Sequence, residues 1–429
     1  MKHKLHFKKL TLRKDLNLFQ AVMVGVGITI GAGIYVLLGP ASALAGNAIW
    51  ISFIISAVLA LFTGLSYAEL LTIFPKDGSE YLYIENTFNK KLAFLIGYLI
   101  LLGGAISAAT VALGFAGYLS DLLNYNSLTI IAFLLLVLMA IINLIGLKES
   151  SYFNIILTTL EILGLIFVII FSLKYFGNVN YLKTPFGIRG IFNSASLIFF
   201  AFIGFESLVK LSEETKNAKK VIPLALIFSI LISTILYILV SLSAVSVLGY
   251  EALSQSKAPL SEVILSSLGS KYSFLISIIA LLSTATTVLL ILLSTSRILY
   301  GVGEENKSLK IFTKISKKTR TPYISILTVL FLSLIFVLIG KIEIVASITN
   351  FMIFTTFFFV NLSLIILRIK KPNLKRKFKV PLNIRNIPLI SVLGLLSSIF
   401  FILNLQLKII LSGIFLVFIG LLIGKFAEK

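Results

Sequence analysis

Residues 25–33 read Gly-Val-Gly-Ile-Thr-Ile-Gly-Ala-Gly, inside an apolar run long enough to cross a membrane. Glycine is poor in a helix interior because it has the most backbone freedom to lose. Four glycines within nine residues therefore predict a helix break at membrane depth. A break there uncovers backbone N–H and C=O groups. Lipid offers them no partner, so they must be buried in protein or line a cavity that holds something polar. A second candidate break, Phe200-Ala201-Phe202-Ile203-Gly204-Phe205-Glu206, lies in the sixth such run.

The surrounding chain is 58% hydrophobic, with a mean hydropathy of +1.05. A water-soluble fold cannot enclose that much apolar surface, so the chain is a polytopic, all-α membrane protein. Apolar runs of spanning length lie near 18–39, 47–71, 92–120, 127–147, 152–175, 190–210, 222–248, 272–301, 322–340, 343–368, 387–404 and 408–425. They predict 12 transmembrane helices in a single transmembrane domain over 1–429. Prolines are expected mostly to mark the ends of these spans, at Pro40, Pro75, Pro185, Pro223, Pro322, Pro372 and Pro388.

The net charge of +21 does not point to nucleic acid, because the basic residues sit in short links with no aromatic-interleaved basic face. With the N-terminus in the cytoplasm, cytoplasmic segments hold about 31 of the 38 Lys and Arg, and external links hold about seven. The richest links are Lys307–Arg320 and Arg368–Arg385. The expectation is a multi-pass protein of the cell membrane with cytoplasmic N- and C-termini, its basic clusters near the headgroups of the lipid bilayer. No cleavable signal precedes the first helix. There is no Cys, and the only two His are His3 and His6 in the basic tail. No metal site and no cofactor is expected.

The two breaks fall in spans 1 and 6, each the first of five. An odd number of spans per half sends the second half in from the opposite side. That predicts an inverted repeat, 18–175 and 190–368, with helices 11 and 12 (387–425) added and a site where the broken helices meet. Glycines that merely permit close packing are the alternative; the pairing of two breaks favours the repeat. Such a site offers both donors and acceptors to a polar ligand. The outer half of span 1 starts with free N–H groups and partial positive charge, worth about 0.3–2 kcal/mol to an anion. Carbonyls at Thr29, Ile30, Phe200 and Ile203 can accept from an ammonium group.

Four segments carry a further signal: Ile30-Gly31-Ala32-Gly33-Ile34; Tyr67-Ala68-Glu69-Leu70 followed by Phe74-Pro75-Lys76-Asp77-Gly78-Ser79-Glu80-Tyr81; Phe202–Glu206 followed by Glu213–Asn217 and Val221-Ile222-Pro223; and Ser296–Tyr300 followed by Thr321-Pro322. In this order and spacing they resemble the amino acid–polyamine–organocation transporter superfamily. The resemblance implies a LeuT-like fold of five plus five inverted helices, broken in helices 1 and 6, with two C-terminal helices. It also implies an amino acid carboxylate on Ala32 and Gly33, and its amine on the backbone oxygens of Thr29, Phe200 and Ile203. An aromatic gate, Phe200 first and Phe202 second, would close over the substrate.

Two acids lie well inside spans, Glu161 and Glu206, and intramembrane carboxylates are functional candidates. Glu206 starts the inner half of span 6, where a structural or gating role suffices. Glu161 has no basic neighbour in sequence. Proton-coupled or exchange-type relatives in the superfamily often carry a Lys in this part of span 5, pointing at span 1. The approximate match here is Thr159, so that mechanism does not carry over. Proton coupling through Glu161 is the favoured expectation. A sodium site made by Ser283, Thr284, Thr286 and Thr287 with span 1 carbonyls is the alternative, and exchange without an ion is a third reading. The pocket walls show no side-chain charge to match a charged substrate, which favours a neutral amino acid. A channel or a nutrient receptor on a transporter fold are the competing functions. Nothing in the chain suggests an enzyme: there is no metal-ligand spacing and no nucleotide loop. The oligomeric state is not legible.

Overall fold

The computed structural model describes residues 16–74, 79–125, 127–146, 151–211, 215–305 and 307–427. Pro75–Gly78, Glu213, Glu214, His3 and His6 lie outside them. The fold is nearly all helical: α1 (Leu18–Ile30), α2 (Gly33–Ala45), α3 (Ile49–Ile73), α4 (Ser79–Thr87), α5 (Lys90–Leu123), α6 (Leu128–Ile145), α7 (Ser151–Ser172), α8 (Gly187–Ile198), α9 (Ala218–Gln255), α10 (Pro259–Leu268), α11 (Ser270–Glu305), α12 (Tyr323–Val337), α13 (Ile342–Lys370), α14 (Leu389–Leu403) and α15 (Leu407–Ala427). Two-residue strands at Asn383–Ile384 and Ile387–Pro388 form a hairpin before α14. Among the described residues nine helical stretches are long and apolar enough to cross a membrane, with shorter apolar helices at Leu18–Ile30, Pro259–Leu268, Tyr323–Val337 and Leu389–Leu403.

Local sequence explains many helix ends. Asn17 and Gln20 form a reciprocal cap at the start of α1, and Asn89 caps α5 by accepting from Leu92 N–H at 2.9 Å. Gly146 ends α6 in a left-handed conformation. Two prolines do not end helices as expected: Pro40 lies inside α2 and Pro223 inside α9. Each removes one N–H from the ladder, which a helix surrounded by other helices tolerates. The short helices α4 and α10 were not expected, being too short or too polar to read as spans.

The links gather at two ends of the bundle. At one end Leu16 accepts from Lys216 N–H at 3.0 Å, and the Thr321 hydroxyl donates to Leu144 C=O at 3.0 Å. At the same end Glu69 binds Arg368 through two 2.6 Å contacts, Arg376 at 3.0 Å and Val380 N–H at 2.7 Å. At the other end Asn47 N–H donates to Lys183 C=O, Tyr250 N–H donates to Asn47 Oδ1, and the Lys174 ammonium donates to Ser267 C=O. Hydroxyl and amide side chains stitch helices across the interior. Ser52 and Ser56 of α3 donate to Ile191 and Ala195 of α8 at 2.9 and 2.8 Å. Such interhelical bonds average about 0.6 kcal/mol each in a membrane protein, so their weight lies in fixing register.

Candidate functional site

The first break is centred on Gly31. Its φ of 26° and ψ of −137° end α1, a conformation that a Cβ disfavours. Ala32 precedes α2, whose first ladder bond runs from Val36 N–H to Ala32 C=O at 3.1 Å. The N–H groups of Ala32, Gly33 and Ile34 therefore come before the helical ladder of α2. The second break has two parts. A 3₁₀ turn at Phe199–Phe202 follows α8, and another begins at Phe205. Gly204, at φ 122°, lies between them.

The breaks press against each other. A Cβ on Gly33 would lie 2.3 Å from Ala201 Cα, and one on Gly204 would lie 2.6 Å from the Ile28 side chain and 3.0 Å from Ile28 O. Glycine is needed at both places because backbone faces backbone. The other glycines of the run admit different helices: Gly25 faces Ser229 of α9, and Gly27 faces Thr158 of α7.

Tyr237 of α9 joins the two breaks. Its hydroxyl lies 2.7 Å from Thr29 C=O and 2.8 Å from Ala201 C=O, with Ile30 C=O farther off at 3.4 Å. A phenol has one proton, so it donates to one of these carbonyls at a time. Asn350 of α13 donates to Ser196 and Leu197 C=O at 2.7 and 2.8 Å, satisfying carbonyls at the end of α8. Glu206 caps the second break by accepting from Gly204 N–H at 2.9 Å.

The expected residues sort as follows. Thr29, Ile30, Gly31, Ala32 and Gly33 are all buried at the first break, and Phe200 and Phe202 are buried at the second, beside the half-buried Ile203. The Phe200 carbonyl already accepts from Ile203 N–H at 3.2 Å. Phe202 packs on Tyr237 with ring centroids 5.2 Å apart, which makes it part of the core rather than a free flap. Phe200 flanks the break without that stacking.

Thr159 departs from its expected place. It is exposed on α7 and its hydroxyl bonds back to Ile155 C=O at 2.7 Å. The neighbour that faces span 1 is the buried Thr158; one residue of register, about 100° of helix rotation, separates them. Glu161 is 6% exposed. It lines a small cavity of about 20 Å³ together with Ser283. Ser283 also donates to Gly31 C=O at 3.1 Å.

Thr284, Thr286 and Thr287 bond back to carbonyls of their own helix, at 2.7, 2.9 and 2.7 Å. Thr287 still lies beside Gly31. Tyr237, Asn350 and Thr158 escaped sequence reasoning. A tyrosine or asparagine alone in an apolar run was the only available signal.

A multi-pass helical membrane protein that buries two meeting backbone breaks has the makings of a carrier for a small polar solute. The profile described as amino acid permease matches residues 16–423, and the chain belongs to this family of transporters. It is 30% identical to the branched-chain amino acid permease BcaP of Bacillus subtilis (strain 168), over 96% of this chain and 92% of that one. It is also 30% identical to the methylthioribose transporter of the same organism, over 90% and 87%. To cationic amino acid transporter 4 of Mus musculus it is 28% identical, over 84% of this chain but 61% of the longer relative.

Proposed function

We propose that the protein is a secondary active transporter of neutral, apolar amino acids that works by alternating access and couples uptake to protons. The observation that carries this reading is the meeting of the two breaks, Gly33 on Ala201 and Gly204 on Ile28. It brings the start of α2, with its unladdered N–H groups, directly against the second break. In this reading Ala32 and Gly33 hold the substrate carboxylate. The carbonyls of Thr29, Phe200 and Ile203 receive the ammonium, Thr29 in competition with Tyr237 and Phe200 in competition with Ile203 N–H, and the Phe200 ring closes over it. The named substrate of BcaP supports a branched, apolar side chain, as do the apolar residues Phe200 and Ile203 at the second break. A cationic substrate is the second reading, favoured by the names of several longer relatives.

We take residues 18–45 as one broken crossing, 187–211 as the sixth, and count α12 and α14 as crossings. This gives 12, arranged as a LeuT-like five-plus-five inverted repeat with two C-terminal helices. The packing supports it, because helix contacts recur when crossings are exchanged with those five later. The first packs on the seventh and the sixth on the second. The first packs on the fifth and the sixth on the tenth. The third packs on the fourth and the eighth on the ninth. The basic links share one end of the bundle, which the positive-inside rule assigns to the cytoplasm; we read both termini on that side of a cell membrane.

The Ser283 hydroxyl has a single proton. With Glu161 protonated, Ser283 keeps its bond to Gly31 C=O. With Glu161 ionised, Ser283 turns to the carboxylate and releases that carbonyl. Protonation of a buried acid thus changes the hydrogen bonding of the break itself. The back-bonded Thr284, Thr286 and Thr287 hydroxyls favour this over sodium. The test is uptake of a panel of labelled amino acids into proteoliposomes under imposed pH or Na⁺ gradients. Accumulation of branched-chain substrates with acid outside is expected, and accumulation driven only by Na⁺ would overturn proton coupling.

A further inference from the structure

Where α8 begins and α14 turns into α15, a cavity of about 170 Å³ opens between Arg189 and Asn193 of α8 and residues 403–407 of the turn. Its polar groups converge on one chemistry. Among the described residues no side chain or carbonyl pairs with the Arg189 guanidinium, nor with the Asn193 and Gln406 carboxamides. Gln406 C=O accepts from Ile409 and Ile410 N–H at 2.8 and 3.1 Å, so the N–H groups of Leu407 and Lys408 stand ahead of the α15 ladder, at its positive end. No acid lines the cavity. A guanidinium, carboxamides and a helix N-terminus together make an anion site, and the planar fork of arginine matches a phosphate.

The rim is different in kind. Leu403 and Leu407, which line the cavity, are large, apolar and exposed, as are Phe186 and Ile188 next to Arg189 in the chain, at one end of a membrane-crossing bundle. Free phosphate has no use for such a rim, whereas a lipid brings a phosphate and acyl chains together. We propose that this cavity is a headgroup site for an anionic phospholipid, its phosphodiester on Arg189 and the start of α15 and its chains along Ile188, Leu403 and Leu407. The bound lipid would staple α8, the first half of the broken sixth crossing, to the α14–α15 turn. Helix α8 already leans on α14 there through Ser196, which donates to Phe401 C=O at 3.2 Å.

The test uses the purified full chain in neutral detergent and reads the thermal unfolding midpoint. Three additions are compared: phosphatidylglycerol, phosphatidylcholine with the same chains, and inorganic phosphate. Phosphatidylglycerol should raise the midpoint more than phosphatidylcholine, and phosphate should leave it in place. Arg189→Gln should lose most of the phosphatidylglycerol rise, while Lys271→Gln, which removes another exposed cation, keeps it. Arg189 is exposed, so its loss leaves the fold intact. The proposal is overturned if Arg189→Gln responds like the parent, if phosphatidylcholine matches phosphatidylglycerol, if phosphate reproduces the rise, or if no lipid produces one.

Discussion

Replacing Gly33 by alanine puts one methyl group where the two broken crossings touch. The new Cβ would stand 2.3 Å from Ala201 Cα, 2.7 Å from its Cβ and 3.1 Å from its N, whereas ordinary contact begins at 3.4 Å. About 1 Å must therefore be found, and no flexible side chain is there to yield. Overpacking of this kind costs about 1–3 kcal/mol, which lowers the population of the joined arrangement about 5–150-fold. The assay is initial uptake into proteoliposomes at matched protein levels, with the substrate-induced shift in thermal midpoint as a binding readout. Gly97→Ala is the control, because its Cβ would meet only the Tyr81 ring at 3.8 Å. Gly33→Ala should lose most uptake and most of the substrate shift, and Gly97→Ala should keep both. Parental uptake by Gly33→Ala would refute the argument that close backbone approach builds the site.

Glu161→Gln keeps the shape of the side chain but holds no exchangeable charge. Its uptake should no longer rise as the external pH falls, and a normal pH profile would remove Glu161 from coupling. Tyr237→Phe takes away the donor shared by Thr29 and Ala201 carbonyls. Leaving buried acceptors a donor short costs about 1–3 kcal/mol, so the unfolding midpoint should fall; an unchanged midpoint would mean the hydroxyl does not hold the breaks together. Glu69→Gln strips the charge that faces Arg368 and Arg376. Breaking a buried ion cluster costs about 3–5 kcal/mol, and the midpoint should drop clearly, whereas the exposed Glu251→Gln should leave it in place.

The glycine run made the first break legible, and its position within the apolar run put it at membrane depth. Local signals of this kind survive in sequence because the backbone itself demands them: Gly31 needs its positive φ whatever packs around it. Residues that act across the fold carried no such mark. Tyr237 reaches Thr29 from 208 positions away, and Asn350 reaches Ser196 from 154. Each looks like any polar residue in an apolar helix until tertiary contacts select it. Thr159 shows the limit at shorter range. The helix was expected, but the face it turns to span 1 depends on rotation, and Thr158 holds that face. Pro40 and Pro223 misled because proline ends a helix in water more firmly than it does among packed neighbours.

Counterflow tests the central claim most directly. Proteoliposomes preloaded with unlabelled isoleucine are diluted into a trace of labelled isoleucine, with no ion gradient. A carrier that turns over by alternating access should concentrate label inside transiently above the outside level, then release it as the internal pool runs down. Saturation by external substrate should accompany the overshoot. Label that enters only to equilibrium, or fails to enter for every amino acid tried, would contradict the account.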